Sequence, residues 1–367
     1  MIEFKLPSLG ADMEQGKLLE WKAQPGDKVK RGDIVAVVDT SKAAVEVEAW
    51  QEGTMHEWIV KPGETVPVGT VMALFLAPGE DAATAVRPKP APAVPAAPAA
   101  APAVAPLARR RISPAARKHA EDLGVNLDQV EGTGPQGAVT VEDVERISKG
   151  KIPDRAAAMR KAIAAAMSRS KREIPHYYLS ETVPLARAAA WLEAENARRA
   201  LPERLLMAAL FLKATAIACR DYPEMNGHYR DGGFQPAPGA HVGVAISLRQ
   251  GGLVAPALHD VQAKSLGEVM KGLSDLVKRA RAGSLRSSEM SDPTITVTNL
   301  GDGGVEAVFG VIYPPQVALV GFGSIKQKEG GPRVTVSVSG DHRVSDGHRG
   351  ALFLAAIARA LQEPEKL

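Results

Sequence analysis

Between Pro78 and Pro106 the chain is almost entirely alanine, proline and valine, and this tract limits what the 367 residues can fold into. Proline fixes φ and carries no amide donor, so such a run closes neither a helix nor a sheet ladder. Residues 80–107 are therefore predicted to form an extended tether. At roughly 3 Å per residue, about 25 residues reach on the order of 75 Å. A chain interrupted in this way folds as separate modules, expected at 1–79, 108–148 and 155–367, with a second short linker at 149–154.

Composition excludes several classes of function. The formal net charge is +3, from 45 basic and 42 acidic residues, too balanced to indicate nucleic-acid binding. The single cysteine, Cys219, rules out an internal disulfide and a multi-cysteine zinc site, and its apolar neighbours from Ala214 to Ala218 mark it as a core residue. No metal site is expected, because the histidines form no ligand pattern with cysteine or acidic residues. Met1 to Lys5 has no apolar signal core, and no stretch approaches the roughly 18 apolar residues of a membrane span. The expectation is a protein of a reducing, cytoplasmic compartment without a membrane partner.

The first module contains a repeat. Gly16, Glu20, Trp21, Pro25, Gly26, Val29 and Gly32 recur 37 positions later as Gly53, Glu57, Trp58, Pro62, Gly63, Val66 and Gly69. Short alternating segments joined by Pro-Gly turns predict a small all-β structure of two sheets with internal pseudo-symmetry. Between the copies, Ile34–Val38 and Ala43–Glu48 read as strands, which places Lys42 at a hairpin tip. The second module predicts two short helices. Ser113 followed by Pro114 opens one that Gly124 closes, and Thr140 with Asp143 opens another over 141–147.

The third module is long enough for one substantial core. Met159, Ile163 and Met167 recur at helical spacing. A second helix is expected over about 204–220, and a third from the N-cap Ser265, with Glu268 three residues on, to Ala282. Strands are predicted at 242–247, 294–298, 317–321 and 334–338, which together give an α/β domain with a mixed sheet. The last strand runs into Asp341-His342-Arg343-Val344-Ser345-Asp346-Gly347. A histidine at a strand end is suited to proton transfer near neutral pH, and on spacing alone it is equally consistent with a hydrogen-bonded turn.

Three sets of residues carry a resemblance that covers essentially the whole chain. Ser41-Lys42-Ala43 followed by Val45-Glu46-Val47 resembles the lipoyl domain of 2-oxo acid dehydrogenase complexes, with Ser41 where an acidic residue is usual. Biotinyl domains place their lysine between methionines, so lipoate is favoured. Ser113-Pro114-Ala115-Ala116-Arg117-Lys118 and Gly132-Thr133-Gly134-Pro135 resemble the peripheral subunit-binding domain, with Glu121 and Ala138 where arginine is frequent. Ile174-Pro175-His176-Tyr177-Tyr178-Leu179, Asn299-Leu300-Gly301, Pro314-Pro315-Gln316 and the His342 turn resemble the dihydrolipoamide acyltransferase catalytic domain, whose fold is that of chloramphenicol acetyltransferase.

The resemblance implies an enzyme that passes an acyl group from S-acyl-dihydrolipoyl-lysine, on Lys42, to coenzyme A. It implies His342 as the base on the coenzyme A thiol, Thr298 as the donor to the developing oxyanion, Asp346 as a residue that orients the site and Arg343 as a structural ion-pair partner. Arg160 with Lys161 would face the coenzyme A phosphates. Arg117 and Lys118 would dock dihydrolipoamide dehydrogenase or the 2-oxo acid decarboxylase. A homotrimer with sites between subunits, assembling into a larger core, is part of the same expectation. The competing reading is a non-catalytic paralogue that only binds enzymes at the core. Ser345, where the family usually has an apolar residue, is a candidate for altered acyl preference.

Overall fold

The computed structural model describes residues 1–7, 13, 15–40, 44–77, 112–122, 130, 132–134, 138–145, 155–248 and 252–367. The expected tether, Gly124 and Lys42 lie outside these residues. The chain divides into one compact unit of Met1–Val86 with Met159–Leu367 and a second of Arg87–Ala158.

Eight strands build the N-terminal module: β1 (Ile2–Lys5), β2 (Gln15–Trp21), β3 (Lys28–Val29), β4 (Ile34–Asp39), β5 (Ala44–Glu48), β6 (Gly53–Trp58), β7 (Thr65–Pro67) and β8 (Val71–Leu76). One sheet has the order β1-β8-β6-β3, and the other contains β5-β4-β2-β7. The sequence repeat is visible in three dimensions. Trp21 of β2 and Trp58 of β6, equivalent positions in the two copies, stack at 6.0 Å with their planes 4° apart. Gly26 and Gly63, also equivalent, have φ of 101° and 94°, a region that β-carbon-bearing residues avoid. Alternation along the strands buries Phe4, Leu18, Val38, Val47 and Phe75 between the sheets. The β4–β5 register pairs Asp39 with Ala44, and the turn predicted around Lys42 between them lies outside the described residues.

In the second unit, α1 (Pro114–Asp122) starts at Ser113, whose Oγ accepts the Ala116 amide at 3.1 Å. Residues 141–145 form α2. Its start is the predicted capping pair: the Asp143 carboxylate accepts the Thr140 amide at 3.0 Å, and Thr140 Oγ1 accepts the Asp143 amide at 3.4 Å. Asp143 also accepts the amide of Thr133 at 2.9 Å and its hydroxyl at 2.7 Å. The small core is Ala116, Ala120, Val130, Val139 and Val144.

The C-terminal domain opens with α3 (Arg155–Glu173), β9 (His176–Pro184), α4 (Ala186–Ala197) and α5 (Met207–Asp221). Then come β10 (Gly227–Arg230), β11 (Gly233–Pro236), β12 (Val242–Val244), β13 (Ile246–Ser247), β14 (Leu253–Val254), β15 (Ala257–Leu258) and α6 (Leu266–Ala282). The chain continues through β16 (Leu285–Arg286), α7 (Ser287–Ser291), β17 (Ile295–Asn299), β18 (Ala318–Phe322), β19 (Lys326–Lys328), β20 (Gly331–Asp341) and α8 (Gly347–Gln362). A seven-stranded sheet has the order β15-β12-β17-β18-β20-β19, with β9 also on β20. β12, β17 and β18 run parallel and the other pairings are antiparallel, which is the expected mixed sheet.

Several elements fall where the sequence placed them. Ser265 caps α6 with a full capping box, and Cys219 is buried on α5, where burial pushes its thiol pKa up. Two boundaries differ. The expected strand over 242–247 splits in two, because Ile246 and Ser247 leave the main sheet to pair with β14. β20 is twice the predicted length, because its residues from Arg333 on pair with β9 as far as Asp341 opposite His176. β16 pairs with neither β12 nor β15. It runs parallel to β5, with Leu285 opposite Val45 and Arg286 opposite Glu46.

Candidate active site

The turn after β20 is built around Asp341. Its side chain is fully buried and takes a fork from Arg343: Nε at 3.0 Å and Nη2 at 2.7 Å, with the Arg343 backbone amide at 2.9 Å. The Arg343 guanidinium lies 4.0 Å from the centre of the Tyr229 ring. This clamp folds the turn so that His342, between the two paired residues, faces outward. The His342 amide donates to the Pro175 carbonyl at 3.0 Å, which fixes its backbone against the start of β9.

The imidazole of His342 is exposed and meets the edge of the Tyr177 ring, with centroids 5.5 Å apart and planes at 75°. Neither ring nitrogen has a hydrogen-bond partner among the described residues. Tyr177 is held by Ser345, whose Oγ is 2.7 Å from its hydroxyl, and a Cβ at Gly340 would collide with its ring. Burial pushes the Tyr177 pKa up. Asp346 is the N-cap of α8 and accepts the Arg349 amide at 2.9 Å. That bond holds its carboxyl below the ordinary carboxylate range, with contributions from the His348 amide and the nearby charges of His348 and His342.

Thr298 stands near the end of β17, half-buried. Thr294 immediately precedes this strand and Thr296 lies within it, and the partners of the three threonines differ. Thr294 donates to Asn226 at 2.6 Å and Thr296 to Gln316 at 2.7 Å, whereas the Thr298 hydroxyl has no partner among the described residues. The register puts it far from His342. Thr298 is opposite Gly321, which is opposite Ser337, and Asp341 lies four residues further along β20. That is about 13 Å along the strand and about 10 Å across two strands. Within one chain the two side chains do not share a site.

A cavity of about 820 Å³ lies beside α3, lined among others by Ile163, Met167, His228, Arg230, His241 and Met290. His228 and Arg230 alternate along β10 with Tyr229, the residue that stacks under Arg343. Arg160 and Lys161 are exposed on α3, and Arg160 is three residues from Ile163 and seven from Met167, on the same helical face. Arg117 and Lys118 are exposed on α1. Sequence reasoning missed the roles of Asp341, Tyr177 and Tyr229. The available signal was a carboxylate directly after an alternating strand, with an arginine two residues on.

The catalytic segment, residues 153–367, matches the family described as 2-oxoacid dehydrogenases acyltransferase (catalytic domain). The chain belongs to the 2-oxoacid dehydrogenase acyltransferases. Residues 2–75 match the family of biotin-requiring enzymes that includes lipoyl domains, and residues 110–145 match the e3 binding domain. The chain is 34% identical over 443 residues to the dihydrolipoyllysine-residue acetyltransferase component of the pyruvate dehydrogenase complex of Rhizobium meliloti, covering 99% of this chain and 98% of that one. It is 30% identical to the corresponding component of the acetoin cleaving system of Bacillus subtilis, covering 100% and 99%.

Among solved structures, the dihydrolipoamide acetyltransferase of Azotobacter vinelandii is similar, with a TM-score of 0.54 and 25% identity over 57% of this chain and 90% of that one. That enzyme was investigated for the roles of a serine, a histidine and an asparagine in its mechanism, the last two being four residues apart. A probable dihydrolipoamide acetyltransferase of Listeria monocytogenes has a TM-score of 0.52 and 28% identity over 56% and 91%. This acyltransferase therefore combines a lipoyl module, a subunit-binding module and a catalytic domain, with covalently attached lipoate as cofactor and coenzyme A as acyl acceptor. Among the described residues no group of histidine, cysteine and acidic side chains could hold a metal, and no helix is long and apolar enough to cross a membrane.

Proposed function

We propose that acyl transfer takes place between copies of the chain, at sites that pair His342 of one copy with Thr298 of another. The observation that carries this reading is the separation of these two side chains on one sheet, each with polar atoms that no described residue engages. A thiol with a pKa of about 8.5 is mostly protonated at neutral pH, so it needs a base to attack a thioester. His342 takes the proton from the coenzyme A thiol and returns it to the departing sulfur. Thr298 donates a hydrogen bond to the carbonyl oxygen as negative charge builds on it. Asp346, four residues past His342, supplies a fixed negative charge near the imidazole, at the spacing where the Azotobacter enzyme has a neutral asparagine.

Lys42 is the lipoyl attachment point in this reading. Lys42 lies in the sequence between the paired strands β4 and β5, whose ends are Asp39 and Ala44, and lipoate supplies the thioester-bound acyl group there. The cavity beside α3 receives coenzyme A, with Arg160 and Lys161 supplying positive charge for its phosphates. Acetyl is the proposed acyl group, since the relatives in Rhizobium meliloti and Bacillus subtilis are both acetyltransferase components. Arg117 and Lys118 dock the decarboxylase or dihydrolipoamide dehydrogenase components, and the copies assemble as trimers of a larger, cytoplasmic core.

The test is complementation. His342→Ala and Thr298→Ala chains are inactive alone in acetyl transfer from acetyl-dihydrolipoamide to coenzyme A. Unfolded and refolded together, they regain activity, because about a quarter of the interfaces then pair an intact His342 with an intact Thr298. No recovery from properly assembled mixtures removes the intersubunit site, and full activity of His342→Ala alone removes the catalytic assignment.

A further inference from the structure

The catalytic domain presents one short strand, β16, whose only ladder partner among the described residues belongs to the lipoyl module. The catalytic domain shapes this strand by itself. Gly283, at φ 75°, ends α6, and the Leu285 side chain is buried in the catalytic core. Glu289 accepts the Arg286 amide at 2.8 Å and is forked by Arg279 from α6, whose Nη1 approaches at 2.6 Å. Leu285 and Arg286 are thus held extended by their own domain, and β5 pairs along them. Such an edge is a template for another strand.

β5 is the complementary edge. Within its own module it is bonded on one side to β4, and its other side is taken by β16. Side chains fix the register. The Glu48 carboxylate accepts the Ser288 hydroxyl at 2.6 Å and the Ser288 amide at 3.3 Å, while the Glu48 amide donates to Ser287 Oγ at 3.1 Å. Arg286 stands opposite Glu46 in the register, a pairing of opposite charge. The two apolar cores nevertheless remain distinct. Val45 packs with Phe4, Leu18 and Val47, and Leu285 packs with the catalytic domain's helices and sheet. The contact is a backbone ladder with polar anchors, not a shared core.

We propose that Leu285–Ser288 is a docking edge for the lipoyl module, which the catalytic domain captures by strand addition and recognises through Glu48. Two paired residues and three polar contacts make a weak interaction between separate molecules. The Ala/Pro-rich tract joining the modules makes it intramolecular, and effective concentrations in the millimolar range then give substantial but reversible occupancy. The module is thereby held beside the catalytic domain by β5, the strand that follows Lys42 in the sequence. A carrier module lacking an acidic residue at the position of Glu48 would be docked poorly.

The experiment uses the full-length chain. Hydrogen exchange is followed in the peptides covering Ala44–Glu48 and Leu285–Ser288, in the wild type and in a Glu48→Ala/Ser288→Ala variant. Docking predicts that both peptides exchange at least about threefold faster in the variant, while transfer from free acetyl-dihydrolipoamide to coenzyme A is unchanged. Unchanged exchange, or a change at one peptide alone, overturns the proposal. A Glu46→Cys/Arg286→Cys chain provides the second measurement, since directly paired strand residues are within disulfide reach. A disulfide forming under mild oxidant, within a chain or between copies, supports the docking edge, and its failure to form in active protein overturns it. Because free dihydrolipoamide bypasses the lipoyl module, failure of docking and failure of the His342 assignment are read separately.

Discussion

Arg343 folds back over two residues to grip Asp341, placing Nη2 2.7 Å from a carboxylate that is fully buried. A buried carboxylate without its cation is costly, because the charge has left water and found no replacement. The pair explains how a turn with two glycines holds an exposed histidine in one orientation.

Replacing Arg343 by alanine is expected to destabilise the catalytic domain by about 2 kcal/mol. This is less than the about 3–5 kcal/mol of a fully buried pair, because Arg343 is partly exposed and its backbone amide still serves Asp341. Arg343→Lys keeps the charge but not the fork, and should recover only part of the loss. Chemical denaturation read by catalytic-domain fluorescence measures the stability, and kcat with free acetyl-dihydrolipoamide measures the site. A kcat and midpoint equal to wild type in Arg343→Ala would show that the clamp does not hold the turn.

Thr298→Ala should lower kcat by about 100-fold with little change in the thermal midpoint, since the lost hydroxyl bonds no described residue. Thr298→Ser should restore most of the rate. Thr296→Ala, two residues earlier, is predicted to behave in the opposite way. It leaves the buried Gln316 side chain without its partner at 2.7 Å, so stability falls before catalysis does.

The catalytic domain should lose stability on mild acidification. His176 is pinned as a neutral ring, its Nε2 accepting the Ile312 amide at 3.1 Å and its Nδ1 donating to the Ile174 carbonyl at 2.8 Å. Burial holds its pKa below the ordinary 6.5, and burial does the same for His228. The unfolded chain therefore takes up these protons first. The stabilisation is complete above pH 6.5 and declines as pH falls from 6.5 through the lower folded values. Melting curves at about pH 7.5, 6.5 and 5.5 should show the decline, and His176→Asn should flatten it.

In the subunit-binding unit, Asp143→Asn should unfold the helix pair more readily than any substitution on its exposed face. The Asp143 carboxylate gathers the amides and hydroxyls of Thr133 and Thr140, and the Thr133 amide leads in holding its pKa well below the ordinary 3.8. The sign follows from that depression. The contribution is present above pH 3.8 and is lost as pH falls through the folded value. Amide exchange at Ala116 and Val144 in the full chain reports it, and wild-type protection in the Asn variant would show that the network is dispensable.

The pseudo-symmetric β module, the caps at Ser113, Thr140 and Ser265, and a histidine after an alternating strand were all legible in the sequence. Each depends on neighbours within a few residues, where turn chemistry and side-chain periodicity decide the outcome. The tertiary structure alone decided which groups those elements bring together. It assigned Thr294 and Thr296 to internal partners and left the Thr298 hydroxyl without one among the described residues, because such partners come from distant segments. It also set Thr298 and His342 at opposite ends of one sheet, and joined Leu285 to Val45 across 240 positions of sequence. Strand order and register between remote segments are fixed by packing of the assembled chain, and no local pattern encodes them.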